Sequence, residues 1–278
     1  MKNILTIDVE SWIHFSDALT DGKTIPDPLS RKALDGGHLR YALEQTLEIL
    51  DRSGNRATFF VLGELLQWDP DILEEIRRRG HEVGYHGHSH RMIDTPETLE
   101  RELELSKNFI DRFRPVGFRA PRLFLSPPAM ETLRSRGFIY SSSSYGPWES
   151  GTEINGVREI PISTLRWIPG PAKPQVLPRP LSPSLLFKEI PFGSGRGAGL
   201  LGGATSFFIR KANRRKHPAV IMLHPWQLFP PEEMTGWKFK FNILSKHTMF
   251  MPYAFSRAGA LRKLVAGHKF ISFLESIK

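Results

Sequence analysis

Apolar residues fall along this chain in short continuous runs separated by segments of helical period, and the alternation repeats from residue 3 to residue 140. Residues 3–8 form a β-rich run, Asn3-Ile4-Leu5-Thr6-Ile7-Asp8, that ends in acid. Leu39, Leu43, Leu47 and Leu50 recur at helical spacing, and Gly54 stands where a helix would stop. Ala57–Leu62 reads as a buried strand. Asp69-Pro70 supplies an N-cap and a first helical position for a helix that runs through Arg79 and ends at Gly80. Glu82–Tyr85 is the next strand. Thr95-Pro96 opens a helix whose buried face carries Leu99, Leu103, Phe109, Ile110 and Phe113. Gly117–Ala120 is a short strand, and Ser126-Pro127 caps a helix that stops at Gly137, ahead of a strand over Phe138–Tyr140. Strand, helix, Gly, strand, repeated, predicts parallel βαβ units in a barrel or a doubly wound sheet.

The rhythm breaks after Trp167. Seven of the 22 prolines lie between Pro169 and Pro191, followed by Gly193, Gly195, Gly197 and Gly199. This predicts a Pro/Gly-rich insertion near residues 167–200, serving as an ordered excursion or a lid. The strand Ala219–Leu223 then delivers His224 at its C-terminal end.

With 278 residues, 40% apolar and 11% aromatic, the chain is long enough for one large core, and no long polar linker divides it. A single domain over 1–278 is expected. The absence of cysteine rules out disulfides, thiolate metal sites and cysteine nucleophiles, and fits a reducing compartment. The opening Met1–Asp8 is too short and too quickly acidic for a signal peptide, and no window approaches the roughly 18 apolar residues of a spanning helix. A cytoplasmic location is the expectation. The net charge of +9 is unevenly placed: residues 205–278 hold thirteen Lys/Arg against three Asp/Glu, so the basic C-terminal quarter carries the whole excess. An anionic partner follows, such as a membrane surface, a lipid phosphate or a nucleic acid.

Chemistry concentrates in Gly84-Tyr85-His86-Gly87-His88-Ser89-His90, which sets three of the ten histidines directly after a strand. Each imidazole brings a polar nitrogen that needs a partner, and a divalent metal is such a partner. His86 and His90, four apart, converge on one ion if the backbone coils after the strand; with a carboxylate they make a two-His, one-carboxylate set. His88 reads as a structural or supporting residue. Asp8 and Glu10 share a side of one strand at period two and can divide two roles, one on the metal and one as a base. Arg119 follows a buried strand, where it can hold a carboxylate by paired hydrogen bonds. His224, after an apolar strand, is the natural general acid. All of these fall at strand ends, where parallel α/β folds gather their chemistry.

Together these residues resemble the polysaccharide deacetylase family, the NodB-like carbohydrate esterases, over roughly residues 3–165 and 218–228. The similarity rests on Thr6-Ile7-Asp8-Val9-Glu10, on Thr58-Phe59-Phe60, and on Gly-His-Glu-x-Gly-x-His-x-x-x-His from Gly80 to His90. It continues in Arg119-Ala120-Pro121 and in Met222-Leu223-His224-Pro225-Trp226. Glu159-Ile160-Pro161 and His224-Pro225-Trp226 look most like exopolysaccharide-locus members.

The resemblance implies an α/β fold, a distorted (β/α) barrel with fewer strands than a TIM barrel. It implies Asp8 as catalytic base, Glu10, His86 and His90 as metal ligands, Arg119 orienting Asp8, and His224 as the acid. Pro121 and Trp226, in the same motifs, are candidates to meet substrate. The implied cofactor is one divalent ion, zinc foremost, with cobalt, nickel or manganese as alternatives. The implied reaction is hydrolysis of an N-acetyl group on an amino sugar of a polysaccharide, oligosaccharide or lipid-linked glycan precursor.

Two departures bear on rate and substrate: relatives often carry Tyr-Asp-Ser-Ser where this chain has Tyr140-Ser141-Ser142-Ser143, and Thr or Ser where it has Gly87. The competing readings are an amidohydrolase of a non-carbohydrate C–N bond and a non-catalytic glycan- or lipid-binding protein on the same scaffold. Phe207–Lys211, Arg214-Arg215-Lys216 and Trp237–Phe241 mix bulky apolar and basic side chains. They predict peripheral binding at the inner face of a membrane; no nucleic-acid motif is present.

Overall fold

A computed structural model describes residues 1–17, 27–167, 174, 176–195, 197, 201–236 and 258–277. The Trp237–Phe241 stretch, and residues 168–173 of the Pro/Gly-rich region, lie outside the described residues.

The predicted strands form: β1 (Lys2–Val9), β2 (Thr58–Val61), β3 (Glu82–Tyr85), β4 (Gly117–Phe118) and β5 (Tyr140–Ser141). Among the described residues they belong to one nine-stranded sheet. Its order is Val220–Leu223, β1, β2, β3, β4, β5, Val157–Glu159, Thr152–Ile154, with Lys269–Ile271 also pairing to the start of β1. Every pair is parallel except the last two strands on the path. The sheet curls into an incomplete barrel with helices outside it, as expected of a distorted (β/α) barrel.

β1 shows why the site lies inside. From Asn3 to Val9 the strand is buried on both faces, as parallel strands covered by helices are. Leu5, Ile7 and Val9 join the large core under the helices, where Leu39, Leu43, Leu47 and Leu50 of the helix His38–Ser53 also pack. Alternate residues point the other way. Ile4 packs with Phe60, Tyr140, Val220 and Phe273 in a second apolar cluster. Above it come Thr6 and Asp8, so the barrel interior passes from apolar floor to polar mouth along a single strand.

Three boundaries differ from expectation. The helix predicted from Thr95 through Phe113 is two, Pro96–Leu105 and Lys107–Phe113, broken at Ser106. Ser106 leaves the helical conformation there, and its hydroxyl lies 3.0 Å from both Tyr85 Oη and His88 Nδ1. The helix expected to be capped by Ser126-Pro127 starts at Ala129 with no side-chain cap, and Ser126 gives its N–H to the Ile93 carbonyl beside the isolated Ile93–Leu125 bridge. The strand expected over Phe138–Tyr140 is Tyr140–Ser141, with Phe138 turned into the helix-side core.

Candidate active site

The loop carrying the histidines is held by its own backbone and by Glu102. After β3, Gly87 takes φ +80°, a backbone region glycine occupies without strain. A Cβ there would lie 3.2 Å from Pro121 Cγ and 3.3 Å from Glu102 Oε2, so a side chain at this position would be crowded as well as strained. Buried Glu102 then collects the His88 N–H at 2.7 Å, the Ser89 N–H at 2.9 Å and the Ser89 hydroxyl at 3.0 Å. On the other side the Gly63 N–H donates to the Gly87 carbonyl at 2.8 Å. His90 is held at φ +65°, an uncommon conformation for a side-chain-bearing residue, and it aims the ring back at β1.

The His86 and His90 rings lie 5.5 Å apart, and Glu10, His86 and His90 each offer a ligand atom within 4.8 Å of the others. The His90 Nε2 is 2.6 Å from Glu10 Oε2. The His86 Nδ1 lies 2.8 Å from the Arg119 carbonyl, which only accepts, so the proton sits on Nδ1 and the Nε2 lone pair faces the centre. Burial pushes the His86 pKa down to about 4 against the pull of Asp8 and Glu10, so the ring is neutral and able to ligate at neutral pH. For Glu10 burial acts upward, yet the pull of His90, His224 and His86 outweighs it and holds the carboxyl well below the usual range. Two neutralisable imidazoles and an ionised carboxylate, converging and mostly buried, are a donor set that suits a divalent ion such as zinc. Glu10 does not continue the strand: β1 ends at Val9, and the Glu10 N–H donates to the Asp8 carbonyl at 3.1 Å. The tight turn still delivers both carboxylates to one centre.

Asp8 has different company. Its Oδ1 accepts from Arg119 Nη1 at 2.5 Å, while its Oδ2 is 4.0 Å from both His86 Nε2 and His224 Nε2. Arg119 is fully buried, with its guanidinium carbon 4.3 Å above the Phe60 ring. Its remaining donors reach Thr6 Oγ1 at 2.7 Å, the Ser142 carbonyl at 2.9 Å and Ser142 Oγ at 2.9 Å. His224 stacks on Trp226 at 4.9 Å, and its Nε2 is 3.7 Å from Glu10 Oε1. The His90 and His224 side chains keep 13% and 11% of their surfaces exposed, against 2–4% for Asp8, Glu10 and His86, so they border the mouth.

All six residues singled out for chemistry therefore meet: Asp8, Glu10, His86, His90, Arg119 and His224. His88 stands apart from the ligand set, bonded to Ser106. Pro121 is buried against Gly87, and buried Trp226 donates from Nε1 to Glu10 Oε1 at 3.2 Å. Ser141, the departure from Tyr-Asp-Ser-Ser, places its hydroxyl 2.8 Å from Ser143 Oγ.

Several supporting residues were not foreseen. Glu102 is one; it shares the buried helical stripe of Leu99 and Leu103, and a charge on that stripe was a readable signal. Behind His90 lies a second buried group, in which His14 Nδ1 accepts from the Ser11 N–H at 3.0 Å and Nε2 meets Glu64 Oε1 at 2.8 Å. Arg31 Nε reaches the same Glu64 oxygen at 3.0 Å. Burial raises the Glu64 carboxyl, but His14 and Arg31 more than offset it. No periodic pattern marks these three.

Comparison with known proteins gives the arrangement its kin. The polysaccharide deacetylase family model matches residues 34–140. A peptidoglycan-N-acetylglucosamine deacetylase of Bacillus cereus is 28% identical over 98 residues, 34% of this chain and 46% of the relative. A chitin deacetylase of Colletotrichum lindemuthianum is 35% identical over 106 residues, 34% of this chain and 42% of the relative. The chain thus spans under half the length of these curated relatives. A solved structure from Mycobacterium smegmatis, assigned as a polysaccharide deacetylase, shares the fold with a TM-score of 0.60 at 18% identity, over 99% of this chain and 87% of that one. Read with the Asp-x-Glu, His-x-x-x-His, Arg-x-Pro and Leu-His elements now seen around one centre, these likenesses make the chain similar to the NodB-like polysaccharide deacetylases, with residues 34–140 matching the family model directly.

Proposed function

We propose that the protein hydrolyses the N-acetyl group of an amino sugar in a glycan, with Asp8 as base and His224 as acid. The observation that carries this reading is the convergence of Asp8, Glu10, His86, His90, Arg119 and His224, drawn from four parallel strand ends and the loops after them, on one mostly buried centre. Glycan or lipid binding alone has no use for a base, an acid and a ligand set together.

A divalent ion held by Glu10, His86 and His90 would polarise the amide carbonyl and make a nearby water more acidic. Asp8, fixed by Arg119 on one oxygen, has its other oxygen turned to the centre, where it takes the proton of the attacking water. Arg119 cannot surrender a proton to Asp8 and serves to aim it. His224, on the far side of Asp8 Oδ2, gives a proton to the departing amine nitrogen, without which C–N cleavage stalls. The Trp226 ring beneath His224 fixes the plane from which that proton is delivered.

The experiment is release of acetate from N-acetylated chitooligosaccharides and peptidoglycan fragments, before and after chelation, with zinc, cobalt, nickel and manganese restored in turn. Metal-dependent release from sugars supports the reading. Release from small cyclic amides instead, with none from any sugar, overturns it in favour of a non-carbohydrate amidohydrolase.

We also infer that the substrate is met at a membrane surface, on its cytoplasmic face, as a lipid-linked or growing exopolysaccharide. Support comes from exposed Trp167, Phe187 and Phe207 beside basic side chains, and from a cleft of about 450 Å³ lined by Trp148, Trp167, Lys211 and Arg215. Among the described residues no helix is long and apolar enough to cross a membrane, so the association would be peripheral. Sedimentation with anionic liposomes at low salt is the expected outcome; equal partitioning with neutral and anionic liposomes contradicts it.

A further inference from the structure

One ionisable side chain is sealed into the barrel without any part in the reaction as drawn: Glu159, the last residue of the strand Val157–Glu159, which pairs with β5 and is fully buried. Its Oε1 accepts the Ser143 N–H at 2.8 Å and the Ser144 hydroxyl at 2.6 Å. The Ser143 hydroxyl accepts the Ala120 N–H at 2.9 Å, next door to Arg119. Ser142 is thereby held from both sides, since its own N–H donates to the Phe118 carbonyl at 2.9 Å. Ser142 in turn supplies two of the four contacts of the Arg119 guanidinium, through its carbonyl and its hydroxyl.

A chain of short contacts therefore runs from Glu159 through Ser143 and Ser144 to Ser142, to Arg119, to Asp8. Burial raises the Glu159 carboxyl, while the hydroxyls of Ser141 and Ser144, the Ser143 N–H and the charge of Arg119 act against it. A carboxyl in such a place needs partners, and each partner found lies on the segment that grips Arg119.

We propose that Glu159 is a positioning residue for the proton-accepting carboxylate: by clamping Ser143 and Ser144 it fixes Ser142, which holds Arg119 edge-on to Asp8. The proposal rests on the reading of Asp8 as the base. It assigns Glu159 no contact with substrate or metal. The acceptor at Oε1, rather than a second negative charge, is the working feature, since the two donors it satisfies are what pin the turn.

The test compares Glu159→Ala and Glu159→Gln with the wild type, in kcat and KM for acetate release across pH 5–9, in zinc affinity by calorimetry, and in crystal structures. The alanine variant is expected to lose about 10- to 100-fold in kcat, the range seen when a residue supporting a directly acting group is removed. Its KM and zinc affinity should stay within about threefold, because Glu10, His86 and His90 are untouched. The acid limb of its kcat profile should move to higher pH, since an arginine that drifts stabilises the anion beside it less. Glutamine keeps an acceptor at the same place and should recover most of the loss. An alanine variant with wild-type kcat and profile overturns the proposal. So does a loss of kcat matched by lost zinc affinity with an unmoved profile, which marks a merely structural role, and so does a glutamine variant as impaired as alanine. If the wild type itself releases no acetate, the reading of the site fails, and the clamp is judged from the crystal structures alone: Arg119 still seated on Asp8 in Glu159→Ala overturns it, and displacement of Ser142 and the guanidinium sustains it.

Discussion

Asp8 and Glu10 stand two residues apart, one near the end of β1 and one in the turn just after it, yet they live on opposite walls of the site. The Asp8 wall is made of Arg119, Thr6 and Ser142: one permanent cation in a rigid frame of hydroxyls and carbonyls. The Glu10 wall is made of His90, His86, His224 and Trp226: three imidazoles and an indole N–H. Identical chemical groups thus acquire separate work from their neighbours. A carboxylate beside a guanidinium keeps a fixed partner and one oxygen to spare, whereas a carboxylate among imidazoles belongs to a set that a cation completes.

The comparison breaks most sharply at its two anchors. His86→Ala should abolish both zinc binding and turnover, whereas Asp8→Asn should retain zinc and lose about 10³-fold or more in kcat. Calorimetric zinc titration beside acetate release checks the pair; near-normal turnover in Asp8→Asn would reassign the base. Arg119 is then left buried without a counter-charge, so the Asn variant should also melt earlier, and its activity is to be scored per folded chain. Next in size, His224→Ala should cost about 10²-fold on amide substrates and far less on an activated aryl acetate ester, whose leaving group needs no proton. Equal losses on both substrates would remove His224 from the role of acid. On the Glu10 wall, Trp226→Phe keeps the ring under His224 but deletes the N–H to Glu10, and should weaken zinc by about 10-fold with kcat at saturating metal little changed.

The smallest effect on turnover belongs to a histidine outside both walls. His81 is buried at the start of the barrel, with Nδ1 accepting the Ala57 N–H at 3.3 Å, and burial followed by Arg56 pushes its pKa down to about 4. In the unfolded chain it titrates near 6.5, so between those values the unfolded state binds the extra proton. Stability is therefore complete above about pH 6.5, falls as pH drops, and has lost on the order of 3 kcal/mol from this group once pH 4 is reached. Melting curves of His81→Asn should be flatter across that window than wild type; parallel curves would clear His81. His86 moves in the same direction in the metal-free protein, so some slope should remain in His81→Asn.

Which parts of the site could be read from residues alone follows from what strands display. Asp8, Arg119 and His224 were legible because each is a charged or titratable residue where an apolar run stops, and His86 with His90 because of their density. The matched family segment, 34–140, holds His86, His90 and Arg119 but not Asp8, Glu10 or His224, which join only through the pairing of β1 with its neighbours. The contacts of Glu159 and Ser142, which sequence places only within motifs, and the whole His14–Glu64–Arg31 group were not legible, since a buried polar residue with a remote partner looks in sequence like any surface residue. The break at Ser106 was hidden for the same reason, its partners Tyr85 and His88 lying on another element.

β1 pairs with β2 and also with Val220–Leu223 and Lys269–Ile271, so the strand that bears Asp8 and leads into Glu10 depends on two segments more than two hundred residues away in the chain. Such distant pairing costs loop entropy before it returns any contact, and it slows folding. The histidine loop, gripped by Glu102 within 16 residues, has no such wait. During synthesis, then, the two histidines of the ligand set can be arranged before His224 and the strand that delivers it have been made, and the complete reactive centre comes into being as a late event of folding.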